Sequence, residues 1–593
     1  MDRSSTKLTV RPAAPVPFGT ACGPPASGAS LRVGAARVLD ANWTGGSTVP
    51  SRSLYPHQWS WDSAFIAIGL RHVSPLRAQT ELETLLAAQW ADGRVPHIVF
   101  NPSVPLDAYF PSPDFWRSST AGHAAGAPRT VQTSGIVQPP VHALAAWLVH
   151  RADPGLSRAR GFLARMYPRL AAWHRYLLHR RDLGGGGLVS VVHPWEQGMD
   201  NSPCWDAPLA RTTPAPARSF RRADLDHGAP EDRPTDLDYG RYVRLAADYR
   251  DAGYTDEEGE FAVEDPAFNA LLIASEHALA RIAEELGAAG TARHARAERL
   301  TQALVDRLWD PAYGMFLCRD LRAGGEIHQR GGSVATHGVS DALHEQAAAD
   351  PAHGQGATDR AQGQGASGHV HERRVSGRVD ARRPHGPVNS PAADGPTRVQ
   401  GTSAPADEQG ISGTARQQGE STPRPDQGGS GLIPERSVSG LVPLMLPGLP
   451  REVAAALVRT LCGPHFGLGE RTRLVPSYDL LGEAFDPHRY WRGPAWFNTS
   501  WLLERGLRVH GERERADALR AAVLELAEAT DFAEYVDPYT GEACGATGFG
   551  WTAALALDLH HELHKELPKP PGHTVSRTGG GTFDRSDEGG DRR

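Results

Sequence analysis

The sequence predicts an all-α domain built from paired helices, and three observations predict it. Apolar residues recur at the helical period along most of the chain. Strand-like alternation is scarce, and helical stretches are joined in pairs by short glycine-containing links. Pro75 to Trp90 sets Leu76, Leu82, Leu85, Leu86 and Trp90 near one stripe, with Gly93 just beyond its end. The same period runs through Ser157 to Leu178, Asp265 to Leu286, Ala289 to Trp309 and Pro450 to Leu461. It returns in Ala495 to Val509, Arg513 to Ala529 and Trp551 to Leu563. The links lie at Gly287 to Gly290 and Gly506 to Gly511, and Leu188 to Val192 is the clearest short alternating stretch. Antiparallel pairs closing on one core make an α/α architecture. Periodicity leaves a toroid of hairpins, a bundle and a solenoid open, although no repeat of fixed period is visible.

Composition divides the chain. From Glu345 to Pro434 there is no Phe, Trp, Tyr, Cys or Met, so this stretch is expected to be a disordered insertion. Residues 1–30 and the tail from Lys569 to Arg593 read the same way, leaving 31–344 and 435–568 as one catalytic domain. The charge balance, 62 basic against 69 acidic side chains, argues against nucleic acid as a partner, which calls for clustered Lys and Arg. Five scattered cysteines form no CxxC pair, which argues against a disulfide framework or a zinc site and favours a reducing compartment. No apolar run has the pattern of a secretory signal, and none reaches the roughly 20 residues that span a bilayer. The expectation is a soluble cytoplasmic protein without a membrane partner. His560 and His561 are adjacent on a helix and point apart, and His371 lies in the insertion, so no metal site is expected.

Aromatic residues are only 7% of the chain, yet they crowd into four clusters beside carboxylates or arginine. These are Tyr55 to Asp62, His193 to Asp206, Tyr490 to Trp496, and Glu534 to Glu542 with Gly548 to Thr552. Each sits at a Gly/Pro-broken junction beside a helix, where binding residues concentrate. The mixture suits a sugar: a pyranose packs its C–H face on Trp or Tyr and offers hydroxyls to oriented polar groups. Hydrolysis of its glycosidic bond then needs two carboxyl groups, one protonated and one not. The bland alternative is aromatic core filler with capping or surface acids.

At these residues the chain resembles glycoside hydrolase family 63 and its relatives, the mannosylglycerate and glucosylglycerate hydrolases. The resemblance rests on Trp59-Ser-Trp-Asp-Ser-Ala-Phe65, Pro96-His-Ile-Val-Phe100, Gln138-Pro-Pro140 and Trp195-Glu-Gln-Gly-Met-Asp-Asn-Ser-Pro203. It continues with Asp265-Pro-Ala-Phe-Asn269, Tyr490-Trp-Arg-Gly-Pro494 and Gly548-Phe-Gly-Trp-Thr552, all in the family's order from Trp59 to Leu563. The resemblance implies an (α/α)6 toroid of the six-hairpin glycosidase type and inverting cleavage of an α-glycosidic bond, with no cofactor. It implies Asp200 as general acid and Glu534 as general base, with Glu542 as competitor for that role. It places Asp62 on sugar hydroxyls, makes Trp59, Trp61 and Trp551 stacking walls, and sets Gln138, Trp195 and Glu196 around the same pocket. Trp491 belongs to the same motif, Arg492 is a candidate for a hydroxyl or a glycerate carboxylate, and Tyr55 and His97 complete the expected binding residues. Cys204 departs from the pattern and is expected to alter the leaving-group side of the pocket. The substrate is read as a small carbohydrate, glucosylglycerate or mannosylglycerate first. An α-glucosidase, trehalase or sugar phosphorylase on the same toroid, or an idle sugar-binding protein, stays open.

Overall fold

The computed structural model describes residues 28–226, 230–256, 259–323 and 431–566. All of them belong to one compact unit, 1–328 with 427–593, while a second unit, 329–426, lies outside the described residues. The expected arm as far as residue 27, the expected insertion as far as residue 430 and the expected tail also lie outside them.

Eleven helices carry the architecture. They are α1 (Gly28–Ala41), α2 (Ser60–Leu70), α3 (Pro75–Ala87), α4 (His142–Ala152), α5 (Phe162–Arg180) and α6 (Pro266–Glu285). They continue as α7 (Thr291–Leu308), α8 (Arg451–Cys462), α9 (Phe497–Val509), α10 (Arg513–Ala529) and α11 (Gly550–Glu566). An inner ring closes on itself. Helix α2 packs on α4, α4 on α6, and α6 on two 3-10 turns, Val438–Gly440 and Val442–Met445; these pack on α9, α9 on α11, and α11 on α2. Outside it, α3 packs on α2 and α4, α5 on α4 and α6, and α7 on α6. Helix α10 packs on α9 and α11, and α1 on α11, while α8 packs against Met315–Phe316. Inner and outer elements alternate along the chain, which gives the six-hairpin toroid. One inner position is filled by the two 3-10 turns instead of an α-helix.

Several details differ from the sequence expectation. Ser157 to Leu178 splits into Pro154–Ala159 and α5, because Gly161 turns the chain at φ 61°. Ala495 and Trp496 are extended and pair antiparallel with Tyr535–Val536 before α9 begins. Leu432 bridges Arg319 and Ile433 is buried, so residues 431–434 join the helical unit, although composition assigned them to the insertion.

Short pairings staple the loops that lead into the inner elements. Gln58–Trp59 pairs with Ile98–Val99 ahead of α2, and Ser190–Val191 pairs with Val263–Glu264 ahead of α6. The motif Asp265-Pro-Ala-Phe-Asn269 is structural. Asp265 caps α6 through the Phe268 amide (2.8 Å), and Asn269 holds both the amide and the carbonyl of Val189.

Candidate active site

The starts of the inner elements surround one cavity. Trp59, Trp61 and Asp62 come from the start of α2, and Gln138 from just before α4. Trp195, Gly198 and Asp200 come from the loop between α5 and α6, and Tyr490 from the loop before α9. Glu534 and Phe549 come from the α10–α11 connection, and Trp551 from the first turn of α11. About 830 Å³ free of protein atoms, open solvent at the mouth included, lies between them. Helix N-termini carry partial positive charge, so this end of the ring favours an anionic or hydroxyl-rich guest.

Glu534 is 1% exposed and held from several sides. The Tyr55 hydroxyl donates to its Oε1 at 3.1 Å, the Tyr490 hydroxyl lies 3.5 Å from the same oxygen, and the Ala546 amide donates to Oε2 at 3.1 Å. Burial raises its carboxyl above the ordinary range, while Arg233 and these hydrogen bonds oppose the rise and favour the ionised form. The alternative base, Glu542, is exposed and does not line the cavity.

Asp200 sits at the tip of a braced loop. The Tyr242 hydroxyl donates to its backbone carbonyl (2.8 Å), and Trp205 Nε1 donates to the carbonyl of Met199 (2.8 Å). Ser202, not Asp200, caps the 3-10 turn Pro203–Trp205, which leaves the Asp200 carboxyl for the cavity. Burial pushes that carboxyl up to about 7; Glu534 and Asp224 push the same way, and Arg233 opposes them. Two carboxyl groups thus face one cavity, one lifted to about 7 and one whose ionised form its partners favour, an arrangement suited to paired acid and base chemistry.

The aromatic wall is rigid. Trp61 meets Trp551 edge-on with centroids 5.4 Å apart, and Trp59 meets Tyr109 edge-on at 5.1 Å. Gly198, at φ 80°, lets the acid loop lie on Trp61, because a Cβ there would stand 2.6 Å from the indole. The turn carrying Trp59 and Asp62 is fixed from below by Glu81, which accepts from Ser63 Oγ (2.6 Å), Gln58 Nε2 (3.1 Å) and the Thr48 amide (2.7 Å). Asp62 is buried and its carboxyl is raised well above its ordinary value, by burial first and by Glu534 and Glu81 after it. Gln138 Oε1 accepts from the Trp61 amide at 3.2 Å, and His97 Nδ1 pairs with Ser134 Oγ at 2.7 Å.

Of the residues expected from sequence, Tyr55, Trp59, Trp61, Asp62, His97, Gln138, Trp195, Asp200, Glu534 and Trp551 meet at this cavity. Glu196, Trp491, Arg492 and Glu542 do not, and neither does Cys204. Glu196 is wholly buried, pairs twice with Arg181 (2.7 and 2.8 Å) and accepts from the Val137 and Val192 amides. It braces the segment bearing Gln138 from behind. Trp491 stacks face to face on Trp496 at 3.8 Å, and Arg492 is spent on a two-pronged ion pair with Asp206. Cys204 is buried against Cys318 and does not line the cavity.

Sequence reading missed Tyr109, Phe110, Asp224, Arg233, Tyr239 and Tyr242, all of which line the cavity. Arg233 follows Pro230-Glu-Asp232, a run that looks like a solvated loop, yet it is 5% exposed. Its guanidinium lies over the Tyr490 ring (4.8 Å) and 3.5 Å from the Tyr55 hydroxyl, and it forms no ion pair with any described residue. Among the described residues, no group of three His, Cys, Asp or Glu side chains comes together as a metal site. Nor is any helix there long and apolar enough to cross a membrane.

Comparison with known proteins agrees with this geometry. The model of the mannosylglycerate hydrolase MGH1-like glycoside hydrolase domain matches residues 55–357 and 415–552. A mannosylglycerate hydrolase of Rubrobacter radiotolerans is 36% identical over 529 residues, covering 88% of this chain and 95% of the relative. A glucosylglycerate hydrolase of Mycolicibacterium hassiacum is 33% identical, covering 89% of this chain and 97% of the relative. The crystal structure of a family 63 mannosylglycerate hydrolase from Thermus thermophilus, with Tris and D-glycerate, superposes with a TM-score of 0.65. It is 31% identical and covers 89% of this chain and 99% of that one.

Proposed function

The chain belongs to the mannosylglycerate hydrolase MGH1-like glycoside hydrolases, and on that premise we propose that it cleaves a hexosyl glycerate, mannosyl or glucosyl, with inversion at the anomeric carbon. The observation that carries the substrate reading is Arg233, a guanidinium without an ion-pair partner among the described residues, in the same cavity as the acid/base pair. A carboxylate on the leaving group supplies the missing partner, and the guanidinium fork suits it. Arg233 takes the role that sequence gave to Arg492, whose fork already holds Asp206.

The reaction follows from the placement. The sugar ring lies against Trp59, Trp61 and Trp551, with Asp62 on its hydroxyls. Asp200 donates its proton to the glycosidic oxygen as the C–O bond breaks, and the glycerate leaves as an alcohol. Glu534 takes a proton from a water that attacks the anomeric carbon on the opposite face, so the bond formed has the inverted configuration.

The test is hydrolysis of glucosylglycerate, mannosylglycerate, trehalose and a neutral aryl hexoside, with proton NMR of the first-formed anomer. Arg233→Met is expected to raise KM for the two glycerates about tenfold to a hundredfold, the scale of a hydrogen bond to a charged group, and to leave KM for the neutral glycoside unchanged. Loss of its charge beside Glu534 and Asp200 shifts the pH profile of kcat for every substrate alike. Asp200→Asn and Glu534→Gln are each expected to lower kcat by roughly two to four orders of magnitude. An equal rise in KM for charged and neutral substrates in Arg233→Met sinks the glycerate reading. Retention of configuration sinks the role of Glu534.

A further inference from the structure

The base is clasped by its own chain. After Glu534 and Tyr535–Val536 the backbone turns and comes back as Ala543–Cys544, paired antiparallel with Tyr535–Val536. The strap then runs on over the glutamate itself. The Glu534 amide donates to the carbonyl of Ala546 at 2.7 Å, and the Ala546 amide donates back to Glu534 Oε2 at 3.1 Å. One residue of the strap thus fixes both the main chain and the carboxylate of residue 534. With Tyr55 and Tyr490 on Oε1, the two oxygens are held by different elements.

This close approach depends on Gly545. Its φ is +70°, and a Cβ there would stand 2.6 Å from Glu534 Oε2, 2.6 Å from the Tyr535 ring and 3.1 Å from Glu534 Cβ. The carboxylate oxygen and the Tyr535 ring stand equally near the missing side chain. Gly548, on the same strap, also has positive φ (+61°), but a Cβ there would meet nothing within 4 Å. The two glycines therefore separate backbone conformation from contact with the base.

We propose that Gly545 is a positioning residue for the reaction: its bare backbone lets the strap press the Ala546 amide onto Glu534, and any side chain at 545 displaces the carboxylate from the attacking water. The inference rests on Glu534 being the base. A small displacement of a catalytic group costs on the order of a hundredfold in rate. Loss of the Ala546 amide also removes one of the hydrogen bonds that favour the ionised carboxylate.

The experiment compares wild type, Gly545→Ala, Gly548→Ala and Glu534→Gln on one glycoside. For Gly545→Ala we expect kcat to fall on the order of a hundredfold with KM little changed, and the acidic limb of the kcat–pH profile to move to higher pH. Gly548→Ala, with the same backbone strain, is expected to keep the wild-type profile. If Gly545→Ala is not recovered folded, Gly545→Asn replaces it, since Asn accepts positive φ but still brings a Cβ. A wild-type kcat and acidic limb in the 545 variant, with Glu534→Gln inactive, overturns the inference and leaves the base intact. So does an identical shift in Gly548→Ala. An active Glu534→Gln overturns the base itself.

Discussion

In the proposed reaction Asp200 and Glu534 hold opposite protonation states, and their surroundings set the pH window in which they do. Loss of hydration lifts the Asp200 carboxyl to about 7, so its proton is present below that value and absent above it. The rate therefore falls as pH rises past about 7. Burial also raises Glu534, which must be ionised, so the rate falls again as pH drops through a value above the ordinary 4.5. A bell-shaped kcat/KM profile with its basic limb near 7 is expected. Asp200→Asn should abolish that limb and keep the acidic one; a basic limb that survives in Asp200→Asn assigns the acid to another group. Both carboxyl groups at the cavity were legible only through the family resemblance of their motifs; the aromatic neighbours alone pointed to a sugar site and not to particular acids. Arg233 was not, because its burial comes from Tyr55, Tyr490 and Tyr535, which are far from it in the chain. Glu196 was legible as important and misread as to role: its motif names the residue, but only the fold shows that Arg181 takes both of its oxygens.

Helices show the same division between what sequence carries and what it cannot. The outer helices were readable because one face is wet, as in α5 and α8. Every residue of α2 is buried, from Ser60 to Leu70, so it has no polar face and no helical period to detect. The last inner helix meets this first one at Asp558 on α11. Asp558 takes Arg71 at 2.6 Å and His72 at 2.8 Å through Oδ1, and Arg505 at 2.7 Å and the Trp501 indole at 2.9 Å through Oδ2. One fully buried carboxylate thus ties α11 to the end of α2 and to α9, where the ring closes. Neutralising it takes from Arg71 and Arg505 a shared, fully buried counter-charge, so Asp558→Asn is expected to cost roughly 3–5 kcal/mol by chemical denaturation. The sign with pH follows from the direction of the shift. Its cationic neighbours hold Asp558 well below the ordinary carboxylate range, so its stabilisation is complete above the unfolded value and is lost as pH falls through the folded one. Wild type should therefore lose more stability than Asp558→Asn on acidification below about pH 4. Parallel curves would deny the clasp its electrostatic role.

At the scale of the whole molecule, the cavity is assembled from both sides of a long interruption. Trp59, Asp62, Gln138 and Asp200 precede it; Tyr490, Glu534 and Trp551 follow it. Beside the interruption itself, the two sides are stitched by a short seam. The Asp320 amide donates to the carbonyl of Gly431 at 2.8 Å, the Ile433 amide to that of Cys318 at 2.8 Å, and Arg319 bridges Leu432. The ends at 323 and 431 therefore stand close enough for a short connection, and the inner ring closes without any residue between them. Replacing residues 324–430 by a short Gly/Ser linker is expected to leave kcat and KM within about twofold of wild type, while shortening the loop returns about 0.6 kcal/mol for each halving of its length. Thermal unfolding should show an unchanged or slightly higher Tm. A fall in kcat with Tm preserved would assign the replaced residues a part in catalysis. A fall in Tm would show that the unit needs them to hold α7 and α8 against the ring.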